Sequence, residues 1–229
     1  MEGALKRSKD MAIRLFCTAL LLWIMPVLAL ADELECGNPF ENHFGPFDYR
    51  TATEADKHIV ESFHFKPEIE QLKMGYGTGY VVGDIAYTLH VFPNHPRALM
   101  AMARLALREK TSKPKLAKYS VDCYFDRAMR FRPDDFNVYL VYGIYLMDAG
   151  KTQEAARRLE RAVELNNENS NAHYNLGLAY FALKDYEKSL DHAQRAYALG
   201  FPLPGLRNKL EKAGKWQSVR SADPPAPGG

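Results

Sequence analysis

Residues 136–203 carry one pattern written twice, and that repetition limits what the chain can become. FNVYLVYGIYLMDAGKTQEAARRLERAVELNNEN runs from Phe136 to Asn169, and SNAHYNLGLAYFALKDYEKSLDHAQRAYALGFPL runs from Ser170 to Leu203. The copies stay in register without a gap, so Gly143 and Gly177, Ala162 and Ala196, and Leu165 and Leu199 are each one 34-residue period apart. A unit of this length reads as two antiparallel helices, A and B, which cannot bury both apolar faces alone; stacking the next unit completes the burial. Gly143 and Gly177 fall where helices A and B cross, because a side chain there would hold the backbones apart. Ala155, Ala162 and Ala196 take the matching role on helix B, with Ser189 replacing alanine in the second copy. Tyr142, Leu159, Leu176, Tyr180 and Leu190 supply the volume between them. The turns are Ala149-Gly150-Lys151 and Lys184-Asp185-Tyr186.

A 34-residue period, a small residue in the first helix and an Ala-x-x-Leu ending in the second resemble the tetratricopeptide repeat (TPR) family. The resemblance implies an all-α fold: a short solenoid of antiparallel helix pairs. An irregular segment would precede it and a capping helix would close it. Weaker copies lie upstream. VVGDIAYTLHVFP reads as a helix B ended by Pro93. HPRALMAMARLALREK reads as a helix A with Pro96 in its first turn and Ala103 at the small position. After a long turn at 110–115, YSVDCYFDRAMRFRP reads as the partner helix B, and Pro133 leads into Phe136 without adjustment. The expected organisation is a leader at 1–31, an irregular segment with short helices at 32–80, and a helical array at 81–215. Its repeats would be 96–135, 136–169 and 170–203, its cap 204–215, and a disordered tail would cover 216–229.

The leader is read from chemistry. Lys6, Arg7, Lys9 and Arg14 precede an apolar run, Leu15 to Leu30, that holds Pro26 and ends in Ala29-Leu30-Ala31 before Asp32. This is the layout of a secretory signal; the competing assignment is a retained anchor, for which the run is short. The chain is therefore expected to be exported, to a bacterial periplasm. Four of the 30 Lys/Arg and two of the 28 Asp/Glu lie in the leader, so the remainder of the chain is net neutral. Such a balance favours neither nucleic acid nor anionic lipid as a general partner. Membrane association is expected only through a partner.

Cys17 leaves with the leader, and Cys36 and Cys123 remain. Two cysteines in an oxidising compartment pair more often than not, so a Cys36–Cys123 disulfide is expected. The alternative is a redox-active or metal-binding pair, which the lack of a C-x-x-C motif disfavours. Around Cys36, CGNPFENHFGPFDYR follows neither a strand nor a helix period, yet Phe40, Phe44, Phe47 and Tyr49 are too many aromatics for a linker. These aromatics are expected to pack on the outside of the array or to fill its groove. Thr53 is placed to cap a helix to Phe63, and Pro67 to start another reaching Lys73. GYGTGY at 75–80 is a glycine-rich joint; a phosphate loop would need a Gly-Lys-Ser/Thr ending after a strand.

Little in the chain looks catalytic. The seven histidines form no H-E-x-x-H or H-x-x-x-H pair, there is no G-x-S-x-G elbow, and no cofactor or metal is expected. The readable surface is instead the one that the family uses. TPR ligands lie against particular positions of each helix A. Carried over, these are Arg97, Met100, Ala101, Arg104, Leu107 and Arg108, then Asn137, Leu140, Val141, Ile144, Met147 and Asp148, then Asn171, Tyr174, Asn175, Leu178, Phe181 and Ala182. The result is an apolar floor with arginines at one end and asparagines along an edge. Asparagine amides suit an extended peptide and arginines suit a carboxylate. Of the two-carboxylate clamp of chaperone-binding TPRs, only Asn175 is matched, so that ligand is not expected. The reading is a non-enzymatic exported adaptor that holds a segment of a cell-envelope complex. The alternative is a small-molecule or metal-handling protein using Cys36, His43, His58, His64 and the N-terminal aromatics.

Overall fold

The computed structural model describes residues 36–216, so the expected leader and nearly all of the expected tail lie outside the described residues. The chain divides between Asn38 and Pro39. Of the first unit the structure describes Cys36, which is buried, Gly37 and Asn38.

The second unit is all-α. Its helices are α1 (Glu54–His64), α2 (Pro67–Glu70), α3 (Val81–Val91), α4 (Pro96–Glu109), α5 (Val121–Phe131), α6 (Phe136–Asp148), α7 (Thr152–Leu165), α8 (Ser170–Ala182), α9 (Tyr186–Ala198) and α10 (Gly205–Lys212). Helices α6 with α7 and α8 with α9 are the closest partners, and α7 against α8 joins the two pairs. Helix α4 packs on α5 and α6, so the sequence pairs stack in order. Helix α1 packs on α3, and α3 on α4, which adds a further pair at the N-terminal end.

The helix starts are explained by capping. Ser120, Asp135, Asn169 and Asp185 each accept a backbone N–H of the first turn, which would otherwise lack a partner. Thr53 does the same for α1, accepting from the Asp56 amide at 3.1 Å. At α4 the cap is a histidine: the His95 ring accepts from Ala98 N at 3.2 Å, with Pro96 behind it at the first helical position. Its far nitrogen donates to Glu61 on α1 at 3.2 Å, and the buried ring is held well below its ordinary pKa by desolvation.

The helix ends repeat too. Gly150 and Lys184, one period apart, both take left-handed backbone with φ of 76° and 65°. In each, the next amide bonds back five residues, Lys151 N to Leu146 O at 2.8 Å and Asp185 N to Tyr180 O at 3.0 Å. Glycine adopts that conformation freely and lysine does not.

Packing is set by the small positions. A Cβ on Gly143 would stand 2.5 Å from Leu159 Cγ on α7, so the crossing admits only glycine. At Gly177 the nearest atom to such a Cβ is Leu206 Cδ2, at 2.5 Å, and the Ser189 carbonyl of α9 is next at 3.3 Å. The capping helix α10 thus inserts a leucine where α8 and α9 cross. Ser189 is fully buried, and its hydroxyl donates to Gly177 O at 2.8 Å. On α5, Phe125 stacks against Tyr142 of α6 with ring centres 4.3 Å apart.

Residues 39–52 lie against the turns between helix pairs. Phe44, Phe47 and Tyr49 pack on Val60, Val91 and Phe92, while Phe40 meets Phe131. Asp48, almost fully buried, is the hub. Arg132 donates to it at 2.7 Å, Asn94 at 2.7 Å and Arg50 at 2.7 Å, and Asn94 also reaches Asp135 at 2.8 Å. Burial alone would raise the Asp48 pKa, but the bonds from Arg50, Asn94 and Arg132 outweigh it and hold the carboxyl well below the usual range.

Two expectations about 53–80 change. Helix α2 ends at Glu70, short of Lys73, because Leu72 turns to a left-handed φ of 59°. The glycine-rich joint is a clamped loop. Asp84, with no exposed surface, accepts the amides of Tyr76 at 2.6 Å and Thr78 at 2.7 Å, and His64 approaches it at 2.9 Å.

Candidate protein-binding groove

Helices α4, α6 and α8 line one face, which holds two adjoining cavities. The first, about 290 Å³, is lined by Glu70, Pro96, Arg97, Met100, Arg104, Asn137, Leu140, Val141, Ile144 and Asn171. The second, about 250 Å³, is lined by Ile144, Met147, Asp148, Asn175, Leu178, Phe181, Ala182 and Lys209. Ile144 belongs to both, so the two form one groove.

Fourteen of the eighteen helix-A positions carried over from the family line the groove, and Ala101, Leu107 and Arg108 do not. Nor does Tyr174. Its ring stacks on Phe201 at 4.0 Å, and it packs with Leu206 and Leu210 of the C-terminal cap. The site also gains Glu70, Pro96 and Lys209, which helix-A positions do not include. Pro96 starts α4, while the other two come from α2 and α10 and enter only by tertiary packing.

The expected arginine cluster is mostly engaged. Arg97 pairs with Glu70, whose carboxyl is lowered by that bond, and Arg108 donates to the Leu72 carbonyl at 2.8 Å. Arg104 is exposed and, among the described residues, makes no hydrogen bond or ion pair. Along the edge, Asn175 donates to Asn171 Oδ1 at 2.7 Å and to Asn171 O at 2.9 Å. Asn175 therefore keeps an acceptor oxygen, and the Asn171 amide keeps its donors. The floor is graded. Leu140 is buried in the core that it shares with Leu159 and Leu176, whereas Met100, Ile144, Met147, Leu178 and Phe181 are only partly covered.

Neither cavity is lined by any of residues 39–52, which pack on the turns instead. Helix α2, through Glu70, closes one end. The histidines considered for an N-terminal metal site are dispersed: His58 bonds Ser62 at 3.1 Å and His64 bonds Asp84. Among the described residues no three His, Cys, Asp or Glu side chains are grouped to hold a metal ion. Cys123 sits buried in the first turn of α5.

Residues 142–200 match the family model described as tetratricopeptide repeat. No curated protein sequence matches the chain. Among solved structures, the chain is similar to MamA at 15% identity, over 72% of this chain and 86% of that one, with a TM-score of 0.46. PilF of Pseudomonas aeruginosa is 21% identical over 69% of this chain and 67% of that one, with a TM-score of 0.49. The first TPR domain of human RPAP3 is 20% identical over 56% of this chain and 99% of that one, with a TM-score of 0.44.

Proposed function

Since this chain is a tetratricopeptide-repeat protein, we propose that it is an exported adaptor that holds a segment of a partner protein in the α4–α6–α8 groove and helps to assemble a cell-envelope complex. One observation carries the reading: Ile144 joins two apolar-floored cavities into a continuous groove that the chain's own aromatic segment leaves open. Such a groove takes an extended or helical segment with apolar side chains at intervals. Asn171 and Asn175 bond its backbone, and Arg104 takes an acidic side chain or a terminal carboxylate near the α2 end. The protein contributes position and no catalytic step. Export is supported by the leader in the sequence. A Cys36–Cys123 bridge is the pairing that such a compartment favours.

The test is crosslinking and co-purification from the envelope fraction, comparing the wild type with Ile144→Glu. Ile144 is partly exposed, so the change leaves the core in place, and circular dichroism verifies the helix content. The wild type recovers a partner that the variant loses. Recovery of the same partners by both would reject the groove as the working surface.

A further inference from the structure

The large apolar side chains that stand exposed are concentrated near the N-terminal end of the array. Met74 is 56% exposed, Tyr76 56%, Tyr80 62% and Leu116 67%. They come from two loops, 72–80 and 110–120, which Arg108 brings side by side. Arg108 donates to Leu72 O at 2.8 Å and lines a shared cavity with Tyr80, Lys115 and Leu116.

Both loops are built to hold these side chains outward. Asp84 fixes the first from below by accepting the amides of Tyr76 and Thr78. A Cβ on Gly75 would lie within 2.5 Å of the Tyr80 backbone, so the loop closes tightly on itself. Leu116 sits at a φ of 68°, a conformation costly for a bulky side chain, and it turns the leucine toward solvent. A buried leucine would recover that cost. An exposed one does not.

Charge is segregated onto the same loops. Between positions 108 and 118 there are five Lys/Arg and one acid, Glu109, although the chain after its leader is neutral. Lys73 adds to them, and Lys66 lies 3.5 Å from the Tyr76 ring centre. Net neutrality therefore hides a basic, aromatic-tipped edge. Lysines around tyrosines and aliphatic tips match a lipid–water interface: the rings sit at headgroup depth and the cations meet anionic phosphates.

We propose that the 72–80 and 110–118 loops form a docking edge for an anionic phospholipid surface. The groove would then be presented next to a membrane directly, in place of the contact only through a partner that net charge implies. Among the described residues no helix is long and apolar enough to cross a membrane, so this edge is peripheral.

The test is hydrogen–deuterium exchange of the full chain with vesicles of pure phosphatidylcholine or of equal parts phosphatidylcholine and phosphatidylglycerol. The readout is local, so binding through the apolar leader does not mimic it. Phosphatidylglycerol vesicles slow exchange in 72–80 and 110–118 by roughly tenfold, and the effect disappears at about 0.5 M salt, where charges are screened over a few ångströms. A Lys113→Glu, Lys115→Glu variant loses the protection, and a Tyr76→Ser, Leu116→Ser variant weakens it. The proposal fails if these loops stay unprotected, if neutral vesicles protect them equally, or if the lysine variant keeps its protection. Protection that appears without vesicles and grows with protein concentration would also overturn it, since the edge would then join copies of the chain.

Discussion

Gly143 on α6 stands so close to Leu159 on α7 that a Cβ on the glycine would come within 2.5 Å of the leucine Cγ. Alanine is the better helix former by about 1 kcal/mol, so an open site would gain from Gly143→Ala. Here Leu159 is fully buried and has nowhere to move. The variant is therefore expected to lose about 1–2 kcal/mol in urea unfolding, since overpacking outweighs propensity. In a double-mutant cycle, Leu159→Ala removes the clash, so the pair destabilises by less than the sum of its single changes.

Lys184 offers the opposite case. It holds the left-handed position that Gly150 fills one period earlier, with the same pattern of closing hydrogen bonds. Lys184→Gly removes the Cβ penalty and is expected to raise stability by about 0.5–1 kcal/mol despite the entropy of the new glycine. A Gly150→Lys exchange should cost a similar amount, measured by the same unfolding curve.

Asp48 ties the N-terminal segment to two successive turns through Arg50, Asn94 and Arg132. Asp48→Ala takes one acceptor from a buried amide and two guanidinium groups, of which Asn94 keeps Asp135 and Arg50 keeps Asp134. Arg50 and Arg132 side chains keep 34% and 38% of their exposure, so water compensates in part. The expected cost is about 2 kcal/mol, below that of breaking a fully buried pair. Limited proteolysis should then cut within 39–52 before the repeats. Because the folded carboxyl is depressed, its contribution is present above the unfolded pKa of about 3.9 and is lost as pH falls below it.

His90 acts at higher pH. Burial, helped by Arg127 and Lys118, brings its pKa down to about 4 from 6.5. The unfolded chain takes up the proton first, so stability falls as pH drops through 6.5 and levels off near 4. Between pH 6.5 and 5 this histidine alone accounts for a loss on the order of 1–2 kcal/mol. Urea midpoints measured across that range should fall more steeply for the wild type than for His90→Gln. The slope does not vanish in the variant, because His95 and His192 are also lowered by burial.

The repeat period makes α6 to α9 readable because their contacts recur: Gly143 and Gly177 announce two crossings from sequence alone. Helix-A positions likewise locate most of the groove. Tyr174 breaks the pattern because it occupies a groove position but faces the cap, and the cap has no counterpart in the period. The arginine end departs for a similar reason. Glu70 and Leu72 reach Arg97 and Arg108 from a stretch with no repeat of its own. Asp48 and Asp84 give no local signal either. Asp48 finds Asn94 46 residues away, and Asp84 clamps a loop that precedes its helix. Pairings that occur once leave no rhythm in a sequence.

Leu206 fills the notch at Gly177 from a helix that belongs to no repeat. One period earlier the notch at Gly143 is filled from within its own pair by Leu159, and Ala193 stands at that place here, so the cap supplies the volume that the last pair leaves out. Lengthening the protein would then be a matter of splicing. A new 34-residue unit placed after Leu203 would part Leu206 from Gly177, so Ala193 would have to become a leucine, as Leu159 is, and the new unit would have to leave its own glycine open for Leu206. Shortening obeys the same rule in reverse. The array is thus extensible at one joint, and the cap can be carried along unchanged.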